Sequence, residues 1–128
     1  MNNNVQLFEF EWYLRDYLFR ANNNKSGEIC LVFETKDIVN TLHEKYHRFK
    51  TWTVVEIHDT LLKVLPIMQE RGALDNKLTL DMVILKSKLE RRQCAVCYYI
   101  NCLGAEELKK CLRCHSEKLV EFPNHHKR

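Results

Sequence analysis

The chain has 128 residues and a formal net charge of +3, with 45% hydrophobic and 29% charged residues but only three glycines and two prolines. That length and composition describe one compact globular unit and exclude a disordered, collagenous or low-complexity chain. No run of about 18 apolar residues exists to cross a membrane, and Met1-Asn2-Asn3-Asn4 lacks the basic and apolar regions of a secretory signal, so an intracellular location, nuclear or cytoplasmic, is expected.

Residues 7–21 read as an aromatic-rich helix, with Phe10, Leu14, Tyr17, Leu18 and Ala21 at helical spacing and Asn22-Asn23-Asn24 with Ser26-Gly27 as its stop. Phe8-Glu9-Phe10-Glu11-Trp12 also alternates, which leaves a short opening strand as the other reading. Residues 28–34 are β-branched and apolar and read as a buried strand, with Cys30 as a small core residue. Thr35 is placed to cap a helix over 36–49, whose stripe is Ile38, Val39, Leu42, Tyr46 and Phe49. Residues 53–71 repeat the pattern through Val54, Ile57, Leu61, Leu62 and Leu65, and Pro66 is expected to kink or split that helix near Val64.

Gly72 and Asp75-Asn76 mark a turn. Leu78, Met82, Leu85 and Leu89 then fall at i, i+4, i+7 and i+11, which predicts a last helix running straight into a cysteine-rich end. The expected fold class is α+β, mostly α. It comprises a helical body over 1–92 with one or two short strands, and a zinc-stabilised module with a basic tail over 93–128, packed on the body or continuous with it.

Charge and cysteine are both concentrated in that last third. Residues 1–80 carry 10 Lys/Arg against 11 Asp/Glu, whereas residues 81–128 carry 10 against 6. Five of the six cysteines fall there too. In a chain with no export signal such thiols are more often metal ligands than disulfides. Cys94-Ala95-Val96-Cys97 and Cys111-Leu112-Arg113-Cys114 are two C-x-x-C turns separated by 13 residues. Each delivers two thiolates from one tight loop, and together they complete a closed tetrahedral site for one structural Zn²⁺. Four thiolates and one zinc ion lower the local charge of +4 to about +2. Cys102 reads as a free thiol in the finger tip and His115 as a solvated histidine. Tyr98, Tyr99, Ile100 and Leu103 remain to dock the module on the body or on a partner.

The spacing of Cys94, Cys97, Cys111 and Cys114 resembles the first zinc module of nuclear-receptor DNA-binding domains. It is similar also to the finger of the adenoviral early transactivator, which contacts transcription machinery rather than DNA. The resemblance covers Cys94 to Cys114 and implies a treble-clef or zinc-ribbon module. It does not extend to a second receptor module, and His115-Ser116-Glu117-Lys118-Leu119-Val120-Glu121-Phe122 carries two acids where the receptor helix is basic.

His43-Glu44-Lys45-Tyr46-His47 matches H-E-x-x-H, in which two histidines one helical turn apart chelate zinc and the glutamate is the base. Followed by a four-cysteine end, this layout resembles SprT-like zinc proteases, and the resemblance implies His43 and His47 as ligands and Glu44 as base. Helical projection opposes it: with the apolar stripe over about 0–100°, His43 lies near 140° and His47 near 180°, toward solvent.

The expected partner is nucleic acid or a protein of the transcription machinery. Contact would run through Lys88, Arg91, Arg92, Lys109, Lys110 and Arg113, with Lys86, Lys127 and Arg128 nearby and Tyr98 and Tyr99 as stacking groups. The other readings are a protein–protein adaptor and the zinc protease. No glycine-rich phosphate loop or G-x-S-x-G is present, so no small-molecule substrate is expected, and without a long apolar run no membrane partner is expected either. The asparagine runs fit an AT-rich coding genome such as some viruses have.

Overall fold

A computed structural model describes residues 3–22, 29–77 and 79–122. Among them are three α-helices and five short strands, giving an α+β fold that is mostly α with small antiparallel sheets. No helix among the described residues is long and apolar enough to cross a membrane.

Helix α1 (Asn3–Asn22) is buried along two stripes. Phe10, Leu14 and Leu18, spaced four apart, face the other helices and are almost fully buried. Glu11, Arg15 and Asp16, the next positions round the helix, are buried as well, against the C-terminal part of the chain. The alternative of a strand over Phe8–Trp12 is not formed, and the stop signal at residues 23–27 lies outside the described residues.

The expected strand over 28–34 reduces to β1 (Val32–Glu34), with Leu31 adding one carbonyl to the ladder and Glu28 outside the described residues. Cys30 is half-buried against the core. Helix α2 (Thr35–Lys45) starts one residue earlier than expected: Glu34 is the N-cap, with no side-chain cap bond, and Thr35 is already helical. The Thr35 N–H is taken by the Asp81 carbonyl at 2.7 Å, and its hydroxyl is buried with no hydrogen-bond partner. A buried unpaired hydroxyl costs stability. Thr35→Val, which keeps the shape and removes the hydroxyl, is therefore expected to raise stability by about 1 kcal/mol, read as a higher urea midpoint at unchanged slope.

The second helix also stops short of residue 49. Tyr46 leaves the helical region (φ −102°, ψ 112°), and His47–Phe49 form a separate 3-10 turn. The cause is tertiary. That turn carries Phe49 into an aromatic cluster with Phe10 (5.3 Å between centroids), Tyr13 (5.4 Å) and Trp52 (4.9 Å), and Tyr46 donates its hydroxyl to Asp16 at 3.0 Å. Aromatic burial of this size outweighs the extra backbone bonds of a longer helix.

Helix α3 (Val54–Glu70) opens with a capping box in which the Glu56 N–H bonds the Thr53 hydroxyl and Glu56 bonds the Thr53 N–H. It runs through Pro66 without dividing. Pro66 is exposed, while Val64, Leu65 and Met68 on the inner face are buried and hold both sides of it. Gly72 then reverses the chain at φ +94°.

The helix expected over 78–89 is not formed. Leu78 lies outside the described residues, and Met82–Ile84 is strand β2, antiparallel to β1 with Phe33 opposite Val83. Val83, Leu85 and Leu89 are buried at even spacing, the period of a strand. The four-residue interval from Leu85 to Leu89 imitates a helix seam, but β1 has no other strand partner among the described residues. Nor does a helix enter the cysteines: strand β3 (Glu90–Cys94) does, flanked by β4 (Ile100–Leu103) and β5 (Leu119–Glu121) in the order β4-β3-β5.

Candidate metal centre

Each C-x-x-C turn is built on the end of a chain reversal, and the two have the same backbone bonding. In the first, Tyr98 N–H bonds the Cys94 carbonyl (3.0 Å) and Cys94 N–H bonds the Tyr99 carbonyl (2.9 Å). In the second, His115 N–H bonds the Cys111 carbonyl (2.9 Å) and Cys111 N–H bonds the Ser116 carbonyl (2.8 Å). Tyr98 and His115, the fifth residue of each turn, are both left-handed at φ 66°. Closing the loop behind the second cysteine requires that conformation, which histidine adopts more readily than tyrosine.

Each turn also aims N–H groups at its first sulfur. Val96 and Cys97 lie 3.3 and 3.4 Å from Cys94 Sγ, and Arg113 lies 3.3 Å from Cys111 Sγ. The turns meet with Cys94 Sγ 3.5 Å from Cys114 Sγ and Cys97 Sγ 3.7 Å from Cys111 Sγ, and all four sulfurs lie within 4.8 Å of one another. A tetrahedral ion with thiolate bonds of about 2.3 Å requires sulfur–sulfur edges of about 3.8 Å. The four cysteines thus have the spacing to hold a metal ion, and all six thiols of the chain are free of disulfides.

The electrostatics are compatible with a bound cation. Donation from the Cys97 N–H holds the Cys94 thiol down at about 6. Burial opposes ionisation of Cys111, but the Cys114 and Arg113 N–H groups and the Asn101 amide outweigh it and bring the thiol below its usual range. The Ser116 N–H favours a Cys114 thiolate, yet burial and the three neighbouring sulfurs push that thiol up to about 12. Four thiolates this close cannot coexist without a metal ion. Metal uptake near neutral pH must therefore release protons, and acid must oppose it.

The other sequence candidates fall elsewhere. Cys102 is buried on β4 rather than in a finger tip, with the Arg91 guanidinium beside it, and it is outside the sulfur group. His115 is exposed and also outside it. The H-E-x-x-H residues do not share one helix: His43 lies in α2, His47 begins the 3-10 turn, and extended Tyr46 separates them. The two histidines therefore lack the continuous helical turn of that motif.

Of the basic residues, Lys88, Lys109, Lys110 and Arg113 are exposed and make no ion pair among the described residues. Lys109 and Lys110 line a groove of about 270 Å³ with Leu112 and His115, beside Glu106 and Glu107. Arg91 is bonded to Asp16 at 3.0 Å and lies over the Phe19 ring, and Arg92 is bonded to Glu90 at 2.6 Å. Lys86 pairs with Glu106, while Lys127 and Arg128 lie outside the described residues. Tyr99 packs on Phe8 at 5.4 Å, whereas Tyr98 is 71% exposed.

Sequence reasoning missed the polar joint between α1 and the cysteine module. Arg15, 2% exposed, binds Glu107 with both terminal nitrogens (2.9 and 2.6 Å), Glu11 through Nε (2.8 Å) and the Cys102 carbonyl (2.8 Å). Arg71 bonds Glu11 from the other side, Glu107 accepts the Gly104 N–H, and Trp12 donates its indole N–H to the Ile100 carbonyl at 3.1 Å.

No known protein family matches this chain, and no curated protein or solved structure is significantly similar to it.

Proposed function

We propose that the chain is a non-enzymatic regulatory binding protein in which Cys94, Cys97, Cys111 and Cys114 hold one structural Zn²⁺ and the cysteine module contacts nucleic acid. The observation that carries the metal reading is the closed set of four sulfurs. Four protein ligands leave no position for a reacting water, so the ion contributes folding energy rather than chemistry. The end of α2 between His43 and His47 supports the non-enzymatic reading, and free thiols throughout support a reducing, intracellular setting.

The nucleic-acid reading draws on Lys109, Lys110 and Arg113, exposed beside the second C-x-x-C turn, with Lys88 as a further contact and exposed Tyr98 as a stacking group. Binding to DNA or RNA is expected to weaken steeply with salt. Reversing Lys109, Lys110 and Arg113 to glutamate is expected to lower affinity at least tenfold in low-salt fluorescence anisotropy, with metal content unchanged. Arg91 and Arg92 reversals act through their internal ion pairs and are expected to lower stability instead. Absence of binding at low salt overturns the reading.

A protein partner, including one from the transcription machinery, is favoured by a different observation. Val96, Tyr98 and Val120 of the module are exposed apolar side chains. That reading expects partner capture in the absence of nucleic acid, lost on Val96→Asp.

A further inference from the structure

We propose that Asn101 is a positioning residue of the metal centre: its buried carboxamide sets the Cys111 sulfur and ties the two C-x-x-C turns together. It rests on the reading that the four cysteines hold a metal.

Asn101 sits in the middle of β4, 0% exposed, between Ile100 and Cys102. A carboxamide is costly in such a place unless its donors and acceptor are met. Its Oδ1 accepts the Leu112 N–H of the second turn at 2.9 Å. Because an N–H can face only the oxygen end of the amide, that bond fixes which way the group points. Nδ2 is then left to face Cys111 Sγ at 3.6 Å and the Tyr99 carbonyl at 3.3 Å. The same Tyr99 carbonyl accepts the Cys94 N–H of the first turn at 2.9 Å. One side chain therefore joins the hydrogen-bond frameworks of both turns.

The remaining N–H donors to the ligand sulfurs among the described residues are backbone groups, which almost any residue supplies. Asn101 is the side chain that does this, so it is where substitution can tune the site. Its N–H draws electron density from the Cys111 thiolate and lessens the repulsion of four crowded sulfurs. Trp12 and Arg15 bond the flanking Ile100 and Cys102 carbonyls and so tie this stretch of β4 to α1.

The test loads the full chain with Co²⁺ and, separately, with ¹¹³Cd²⁺. Asn101→Asp keeps the shape and the acceptor for Leu112 but turns an oxygen toward sulfur. It is expected to lower Co²⁺ affinity 10- to 100-fold in chelator competition and to move the sulfur-to-cobalt charge-transfer band to longer wavelength. A residue that only stabilised the fold would leave that band in place. In the wild type, which needs no variant to fold, the Asn101 side-chain amide proton is expected to exchange slowly and to show scalar coupling to ¹¹³Cd. A band and affinity unmoved by the substitution, or absence of that coupling, overturns the inference alone. A wild-type chain with no cobalt charge-transfer band overturns the metal reading and this inference with it.

Discussion

Serine at both Cys94 and Cys111 is expected to abolish metal uptake and to unfold residues 90–122. Two of the four ligands are lost, one from each turn, and neither turn can bind the ion alone. Apart from Leu103, the module's buried apolar groups are mainly the cysteines themselves. Structural zinc in finger peptides is worth roughly 10–16 kcal/mol of apparent binding at neutral pH, comparable with the whole stability of an ordinary domain, about 5–15 kcal/mol. Elemental analysis should give one metal per wild-type chain and none in the double variant, with collapse of the amide dispersion of residues 90–122. Chelation of the wild type should reproduce the change, and fluorescence should follow it through Trp12, whose indole is bonded to β4. His43→Ala/His47→Ala should leave the count at one. Metal retained without the cysteines, or lost with the histidines, would sink the assignment.

The second large effect is expected at Arg15. Arg15→Met removes the cation that faces both Glu11 and Glu107, each nearly buried. Arg71 still reaches Glu11, but Glu107 keeps only the Gly104 N–H. Removing one partner of a buried pair costs roughly 3–5 kcal/mol, because the charge left behind is neither hydrated nor neutralised. Urea unfolding should show a loss of that order, with metal content intact at low denaturant. Adding Glu107→Leu should recover much of it, since an apolar pair can replace a buried ionic one at little cost. A loss below about 1 kcal/mol in the single variant would show that the joint does not depend on this network.

Parts of this architecture are legible in the sequence for simple reasons. The four ligands stand out because two thiols two residues apart can converge only through a tight turn. The three helices are visible as stripes of large apolar residues. The failures share one cause, which is that local pattern was overruled by a partner distant in the chain. Met82–Leu85 buries Val83 and Leu85 at strand period, but the chance interval to Leu89 resembles a helix until β1 is placed beside it. His47 leaves the second helix because Phe49 is drawn into the cluster around Phe10. Glu11, Arg15 and Asp16 resemble a solvated face, and only the arrival of β4, Glu107 and Arg91 shows that they are interior.

That last feature bears on the order in which the chain folds. Helix α1 is synthesised before the cysteine module, and Trp12 and Arg15 meet their partners 87 to 92 residues later. Contacts so far apart form late and slow the search for the native state. Until then the Glu11–Arg15 pair, one turn apart within the helix, can keep its charges matched in water. Helix α1 and the cysteine module should therefore lock together in the final step, and refolding monitored by Trp12 should lag behind helix formation measured by far-ultraviolet circular dichroism.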